Sequence, residues 1–299
     1  MAYLGRKTVA GRRYYYLEES LRLNGTVQKR ERFVGEKLPP DIGELKLRFS
    51  REVRSELLYP RLDMIKKAFA SEERSLPDPV REKSLRAFAV RFTYDTNRIE
   101  GSTLSLRETA ELLEAGITPA RKAISDVKEA ESHWRVFREV LGTRRDLSLR
   151  LVLYWHHRLF CDTKPDIAGK LRDYQVYISG VKYTPPSPVE VHPLMTEMLA
   201  WYNRNKSRLH PVEISASLHQ RFESIHPFGD GNGRVGRLIM NSVLHRNGWP
   251  MLNIPYETRR GYYNALERSQ TRRDEDVFVR WFIRRYLSEN ARFLPAGRR

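Results

Sequence analysis

Cysteine is almost missing from this chain of 299 residues, which contains only Cys161. One thiol cannot build an internal disulfide framework, and such scarcity is typical of proteins in a reducing compartment. Long apolar runs are missing too. A membrane-spanning helix needs about eighteen apolar residues in a row, and no stretch of this chain is that long. The start of the chain, Met1–Gly5, lacks the apolar segment of a secretory signal. We therefore predict a cytoplasmic protein with no membrane partner.

Acidic residues are outnumbered in this chain. It has 54 Lys and Arg against 37 Asp and Glu, which gives a formal net charge of +17. A basic excess favours acidic partners such as nucleotides, nucleic acid or an acidic protein. The basic residues are spread along the whole chain, so charge alone does not locate a binding site.

The first part of the chain, residues 1–38, predicts a small basic β module. Residues 13–21 and 26–34 have the composition of strands, and Asn24-Gly25 between them is a strong hairpin signal. Basic residues of the second strand lie near three tyrosines, so residues 1–40 could contact nucleic acid or a partner protein. We favour the simpler interpretation, a solvated sheet face with aromatic cross-strand pairs.

The rest of the chain is predicted to be mainly helical. Residues 39–83 form a helical linker region, residues 84–292 a large helical domain and residues 293–299 a flexible tail. One stretch, residues 172–188, alternates in hydrophobicity about Ser179-Gly180 and ends in prolines, which predicts a β-hairpin flap. His156 and His157, near the end of one predicted helix, are interpreted as packing or solvent-exposed residues, and His219 on another helix as structural rather than catalytic. Adjacent helical positions such as 156 and 157 point about 100° apart, which argues against their chelating one ion.

One stretch, residues 226–237, carries the strongest functional signal, and we call it the signature loop. It reads His-Pro-Phe-Gly-Asp-Gly-Asn-Gly-Arg-Val-Gly-Arg. Apolar residues at helical spacing precede it from 214 to 225, and the same spacing continues after it from 235 to 243. The sequence therefore predicts a short glycine-rich loop between two helices, with the second helix starting near Gly233 or Arg234.

The residue types of this loop suit phosphate chemistry. Glycine backbone at the start of a helix can bring several N–H groups onto an anion. Arg234 and Arg237 share one face of the first turn, and their planar guanidinium groups suit phosphate oxygens. Asp230 offers hard oxygen ligands for Mg²⁺ held jointly with phosphates. His226 is the group here that can accept a proton near neutral pH.

The loop also resembles a known family. It matches the Fic signature, H-P-F-x-[DE]-G-N-G-R-x-x-R, at every fixed position. The resemblance implies a Fic-type helical bundle with a β-hairpin flap, His226 as the catalytic base and Asp230 as the Mg²⁺ (or Mn²⁺) ligand. It implies nucleotide contacts from the flap, the signature loop and a C-terminal helix, namely Gly180, Val181, Lys182, Tyr183, Asp230, Gly231, Asn232, Gly233, Arg234, Val235, Gly236, Arg237, Tyr262 and Gln270. Tyr263 is an alternative to Tyr262, and Gln270 stands where the family has asparagine.

A second motif resembles the inhibitory motif of the same family, [ST]-x-x-x-E-[GN]. Residues 96–101 read Thr-Asn-Arg-Ile-Glu-Gly and end the predicted inhibitory helix, residues 84–101. By this resemblance Glu100 would pair with Arg234 and compete with the γ-phosphate of ATP for the same guanidinium group.

The resemblance implies a protein adenylyltransferase, which moves AMP from ATP to a Ser, Thr or Tyr hydroxyl. The kinase-like branch of the fold carries lysine at the position of Gly233, so glycine there favours AMP transfer. The flap would bind an extended segment of the target by strand addition. Self-modification and a homodimer are left open. Two alternatives stay open as well: removal of AMP at the same site, with Glu100 orienting water, and a basic nucleic-acid-binding protein.

Overall fold

The computed structural model describes residues 2–23, 25–143 and 145–295. Within these ranges the fold is mainly α, with eleven α-helices and one three-stranded antiparallel sheet. The chain divides into two compact units, Met1–Phe69 with Leu287–Arg299, and Ala70–Tyr286. The mainly helical prediction with a small N-terminal sheet is confirmed.

The sheet of the first unit has the strand order β1 (Tyr3–Val9), β2 (Arg12–Leu23) and β3 (Thr26–Gly35). The second and third strands are the two that the sequence predicts. Asn24, half of the predicted turn, lies outside the described residues. Gly25 has a φ of 79°, in the left-handed region that glycine adopts at little cost.

One face of this sheet packs against the first helix, α1 (Ile42–Leu57). Leu17 and Leu21, which are four positions apart on β2, are buried on that face. Between them Glu19 is buried as well, and its carboxylate accepts a hydrogen bond from the Ser50 hydroxyl at 2.8 Å. Alternation of buried and exposed positions is what a half-buried strand requires.

The basic residues of β3 have acidic partners within the same unit. Lys29 pairs with Glu18 at 2.5 Å, and Arg30 pairs with Glu56 at 2.6 Å. The rings of Tyr16 and Phe33, opposite each other on β2 and β3, lie 5.4 Å apart. These contacts support the simpler interpretation, a solvated sheet face with aromatic cross-strand pairs.

Ten further helices follow α1. Their bounds are α2 (Tyr59–Ser75), α3 (Asp78–Ile99), α4 (Leu106–Ala115), α5 (Ile124–Gly142), α6 (Leu149–Phe160), α7 (Pro188–Asn205), α8 (Pro211–Ile225), α9 (Asn232–Arg246), α10 (Arg259–Thr271) and α11 (Glu275–Glu289). The predicted domain boundary at residue 84 falls inside α3, which crosses it without a break. A capping box of Ser105 and Glu108 opens α4.

The core of the second unit surrounds α8 and α9. Apolar side chains from α3, α5, α6 and α7 pack on these two helices, and every residue of α9 up to Leu244 is buried. The loop between α8 and α9 is therefore held between two of the most buried helices. Among the described helices, none combines the length and apolar character that crossing a bilayer requires.

The predicted β-hairpin flap lacks the predicted strands. Residues 172–187 turn back at 178–181, where the Val181 N–H donates to the Ile178 carbonyl at 3.4 Å, but no strand forms there. Side chains join the two arms instead: Arg172 donates to the carbonyls of Tyr174 and Pro186, and the Gln175 amide donates to that of Pro185. Prolines at 185 and 186 supply no N–H for a ladder, which explains the missing pairing.

Candidate active site

The signature loop is closed by its own residues. His226 ends α8 in the left-handed region, with a φ of 51°, and Gly231 precedes α9 with a φ of 82°. The Asn232 amide group spans the loop, accepting from the Phe228 N–H and donating to the Phe228 carbonyl, both at 2.9 Å. The first N–H groups of α9 have no intrahelical acceptors, as at any helix start, so they are available to an anion.

A buried histidine outside the loop fixes its shape. The Gly169 N–H donates to His156 Nδ1 at 2.8 Å, so Nε2 carries the proton and donates to the Asp230 carbonyl at 3.0 Å. The imidazole also stacks on Phe228, with ring centroids 3.7 Å apart. Burial lowers the pKa of His156 to about 4, so it stays neutral. Sequence reasoning predicted a packing role, but not that this residue orients the loop.

Two glycines of the loop make room for close contacts. A Cβ at Gly231 would lie 2.2 Å from a ring carbon of Phe160, and a Cβ at Gly233 would lie 2.2 Å from the Glu100 Oε1. Any larger residue at 233 would therefore displace the Glu100 carboxylate. Gly231 is therefore needed for packing against Phe160 and Gly233 for the contact with Glu100, in addition to the access that both give to an anion.

Glu100 contacts a different arginine from the predicted one. Its Oε1 accepts from Arg237 Nη2 at 2.5 Å, so the expected pairing with Arg234 is wrong. Arg237 is 1% exposed, and its Nη2 also donates to the Thr96 carbonyl at 3.3 Å. Its Nε and Nη1 have no hydrogen-bond partner within the part of the chain that the structure describes. A buried guanidinium group with unused donors is a place where an anionic ligand can bind.

Arg234 belongs to a separate ring of four charged side chains. It donates to Glu129 and, at 3.2 Å, to Asp230 Oδ1. Lys164 closes the ring, with its ammonium 2.6 Å from Asp230 Oδ2 and 2.8 Å from Glu129 Oε1. Burial alone would raise the pKa of Asp230, but Arg234 and Lys164 outweigh it and hold that pKa below its ordinary value. Sequence reasoning identified neither Glu129 nor Lys164.

His226 lies where the loop and the flap meet. Burial lowers its pKa below the ordinary value, against the opposing effects of the Glu223 carbonyl and the Glu100 carboxylate. Its carbonyl accepts from Arg172 Nε at 2.8 Å, and the same guanidinium group holds both arms of the flap. Arg172 therefore couples the flap to the backbone of the histidine. A neutral imidazole is the form that can accept a proton.

The predicted flap contacts lie against α8 and α10. The Lys182 N–H donates to Glu267 at 3.0 Å, and the Tyr183 hydroxyl donates to the Ser224 carbonyl at 2.8 Å. Gly180 takes the left-handed turn position, with Val181 directly after it. A cavity of about 530 Å³ opens here, and Tyr183 and Gln270 are among its lining residues. The structure thus brings the flap and Gln270 together beside the end of α8.

The remaining predicted nucleotide contacts are less accessible. Tyr262 is 1% exposed, and its hydroxyl lies 2.9 Å from Nε2 of the buried His219. Tyr263, the alternative, is 45% exposed and donates to the Ile99 carbonyl beside Glu100. Val235 is fully buried in the core, and a Cβ at Gly236 would lie 2.7 Å from Glu223. Tyr263 is therefore the tyrosine that a ligand can reach.

Comparison with known proteins agrees with this geometry. A sequence model of the Fic/DOC family matches residues 146–244, which include the whole signature loop. This chain carries a Fic domain. The protein adenylyltransferase fic-1 of Caenorhabditis briggsae is 33% identical over 211 residues, which are 69% of this chain and 41% of that protein. The protein adenylyltransferase Fic of Drosophila yakuba is 34% identical over 178 residues, or 58% of this chain and 36% of that protein.

Solved structures show the same fold around the Fic domain. A Fic-domain signaling protein from Bacteroides thetaiotaomicron superposes with a TM-score of 0.70 at 26% identity, covering 78% of this chain and 96% of that one. Fic-1 of Caenorhabditis elegans gives a TM-score of 0.71 at 27% identity, covering 85% and 76%. The chain spans about two fifths of the length of the curated relatives it matches.

Proposed function

We propose that this Fic domain transfers AMP from ATP to a hydroxyl group of a protein. The observation that carries the proposal is the placement of a histidine, His226, at one end of a closed loop whose other end is the N-terminus of α9. A base beside an anion-binding helix start is what in-line attack on a phosphate requires. The relatives named protein adenylyltransferases support the same reaction.

The residues of the loop have distinct roles in this reaction. His226 takes the proton from the target hydroxyl, whose oxygen attacks the α-phosphorus of ATP as pyrophosphate leaves. The first N–H groups of α9 and the guanidinium groups of Arg234 and Arg237 neutralise the phosphate oxygens. Most of the acceleration comes from positioning and charge stabilisation, with proton transfer adding about 10²–10⁴-fold.

Asp230 fits the expected Mg²⁺ or Mn²⁺ ion. Its Oδ2 already holds a cation, the ammonium of Lys164 at 2.6 Å. Within the described residues no three His, Cys, Asp or Glu side chains converge as a metal site. One carboxylate suits an ion that takes its other ligands from phosphates and water. When bound, the ion would shield the phosphate charges.

The adenosine would occupy the cavity of about 530 Å³ beside the flap. Gln220 and Gln270 line it with amide groups, and Tyr183 and Met198 add apolar surface. Amides can pair with the edge of a purine while apolar side chains cover its faces. The cavity borders Ser224 and Ile225, which directly precede His226, so a nucleotide there points its phosphates toward the loop.

Glu100 restrains this activity. It occupies Nη2 of the buried Arg237 guanidinium group, whose Nε and Nη1 have no hydrogen-bond partner among the described residues. A phosphate of ATP and the Glu100 carboxylate would therefore compete for Arg237, rather than for Arg234 as the sequence suggested. Displacing Glu100 frees one more strong donor for the triphosphate.

The target would bind as an extended segment along the flap. Tyr177 near the flap turn is 78% exposed, and Tyr174 is 47% exposed. The flap residues 174–178 form no strand ladder, so their N–H groups can pair with an incoming chain. This mode fixes the register of the target without a strong demand on its sequence.

Replacement of His226 tests the proposal. His226→Ala should abolish the transfer of label from ATP labelled at the α-phosphate to a protein acceptor, because no other group takes the hydroxyl proton. His192→Ala, at an exposed position on α7, is the control and should keep the rate. Unchanged labelling by His226→Ala would reject the assignment.

A further inference from the structure

Lys164 occupies the place that the proposed metal ion must take. Its ammonium lies 2.6 Å from Asp230 Oδ2 and 2.8 Å from Glu129 Oε1. These carboxylates come from different elements, the signature loop and α5. Two carboxylate oxygens that converge on one cationic point form the kind of oxygen set that a divalent ion prefers.

The two oxygens of Asp230 are held unequally. Oδ1 accepts from the Gly231 N–H at 2.5 Å and from Arg234 at 3.2 Å, and both donors are fixed by α9. Oδ2 accepts from Lys164. The Lys164 side chain is 35% exposed, whereas that of Arg234 is 4% exposed. Of the three donors, the lysine ammonium on its flexible stem is the one that can withdraw into solvent.

The backbone at Lys164 is well fixed although its ammonium is not. Its N–H donates to the Phe160 carbonyl at 2.8 Å, and its own carbonyl accepts from Ile167 and Ala168 at 3.2 and 3.1 Å. Pro165 follows directly and stiffens the turn. The side chain therefore returns to the same place whenever the carboxylates are free, which makes it a built-in competitor.

A small cavity allows the exchange to take place. It measures about 180 Å³ and is lined by Glu100, Glu129, Lys164, Asp230 and Arg234, among others. Within the ring, two cationic and two anionic side chains balance to zero net charge. An added divalent ion must therefore replace a cation rather than simply join the cluster.

We infer that Lys164 is a positioning residue that serves as an internal counter-ion of Asp230 and keeps divalent ions out of the site until a nucleotide brings one. This inference rests on the proposed role of Asp230 as the metal ligand. The chain should therefore bind the free ion weakly, and the ion should enter the site together with the triphosphate.

Binding of Mn²⁺ without nucleotide tests the inference, with free Mn²⁺ measured by electron paramagnetic resonance. Lys164→Met should bind the ion about tenfold more tightly than the wild type, because one partly exposed positive charge leaves the ligand set. Lys170→Met is the matched control, since Lys170 is exposed in the same loop and donates to the Asp166 carbonyl instead. It should bind Mn²⁺ as the wild type does, and Lys164→Arg should keep the affinity low.

The failures can be told apart. Equal Mn²⁺ affinity of Lys164→Met and the wild type, with weaker binding by Asp230→Asn, would overturn the role of Lys164 and leave Asp230 as the ligand. Unchanged Mn²⁺ affinity of Asp230→Asn in the presence of a non-hydrolysable ATP analogue would remove the metal role of Asp230 and the inference with it. Melting curves check that each variant is folded, and Lys164→Gln replaces Lys164→Met if the latter does not fold.

Discussion

Removal of the Glu100 side chain should activate the enzyme. The Glu100–Arg237 contact is a charge-assisted hydrogen bond of 2.5 Å, with the arginine 1% and the glutamate 23% exposed. Such bonds contribute about 1.5–3 kcal/mol. ATP must replace this bond when it takes Arg237, so its loss should raise the rate of AMP transfer about 10- to 150-fold at subsaturating ATP.

The assay is the initial rate of label transfer from α-labelled ATP, to the protein itself or to an acceptor, for Glu100→Gly and the wild type. Glu100→Gln keeps the shape and one neutral hydrogen bond, so its rate should lie between the two. The double variant Glu100→Gly/Arg237→Met should lose the gain, because the released donor is gone. Equal rates for Glu100→Gly and the wild type would refute the competition for Arg237.

Two further predictions concern stability. Gly231→Ala should lower the free energy of unfolding by about 2–4 kcal/mol, because alanine is strained at a φ of 82° and its methyl group would lie 2.2 Å from Phe160. Gly116 has a φ of 69° and open space around it, so Gly116→Ala should lower the free energy of unfolding only through backbone strain, by about 1–2 kcal/mol, in the same denaturation experiment. Equal losses in both variants would contradict the packing argument. Stability should also be greatest near pH 6.5. Burial lowers the pKa of His133 and His219 to about 3 and that of His156 to about 4, so below pH 6.5 the unfolded chain binds more protons and stability falls by up to about 1.4 kcal/mol per pH unit for each histidine. Burial raises the pKa of Glu223 to about 8, so the stability that comes from its protonated form is lost as the pH rises from 4.5 to 8. Between pH 4.5 and 6.5 this loss opposes the gain in stability from the three histidines. Melting temperatures that stay level from pH 4 to 8 would contradict this balance.

Local patterns in the sequence were enough to predict the helices and the signature loop. Apolar spacing located α8 and α9. These features depend on residues within a few positions of one another, where the geometry of a helix fixes which side chains meet.

The partners of the loop could not be predicted in this way. Arg234 and Glu129 are 105 positions apart, and Lys164 and Asp230 are 66 apart. Nothing periodic links such pairs, and only the tertiary fold brings them together. The Glu100 pairing was mistaken for a related reason, since Arg234 and Arg237 share one helix face and spacing alone does not choose between them.

The flap shows another limit of pattern reading. Alternating hydrophobicity predicted two paired strands, yet Arg172 and the Gln175 amide bind the carbonyl groups of the arms instead. Alternation describes which side chains face inward, but it does not show what satisfies the backbone.

Transfer from ATP labelled at either the α- or the γ-phosphate tests the central claim most directly. The Glu100→Gly protein should acquire label, or pass it to an acceptor protein, from α-labelled ATP only, and its His226→Ala derivative should acquire none. Label that moves only from the γ-phosphate, or α-label that still moves without His226, would contradict AMP transfer at this loop.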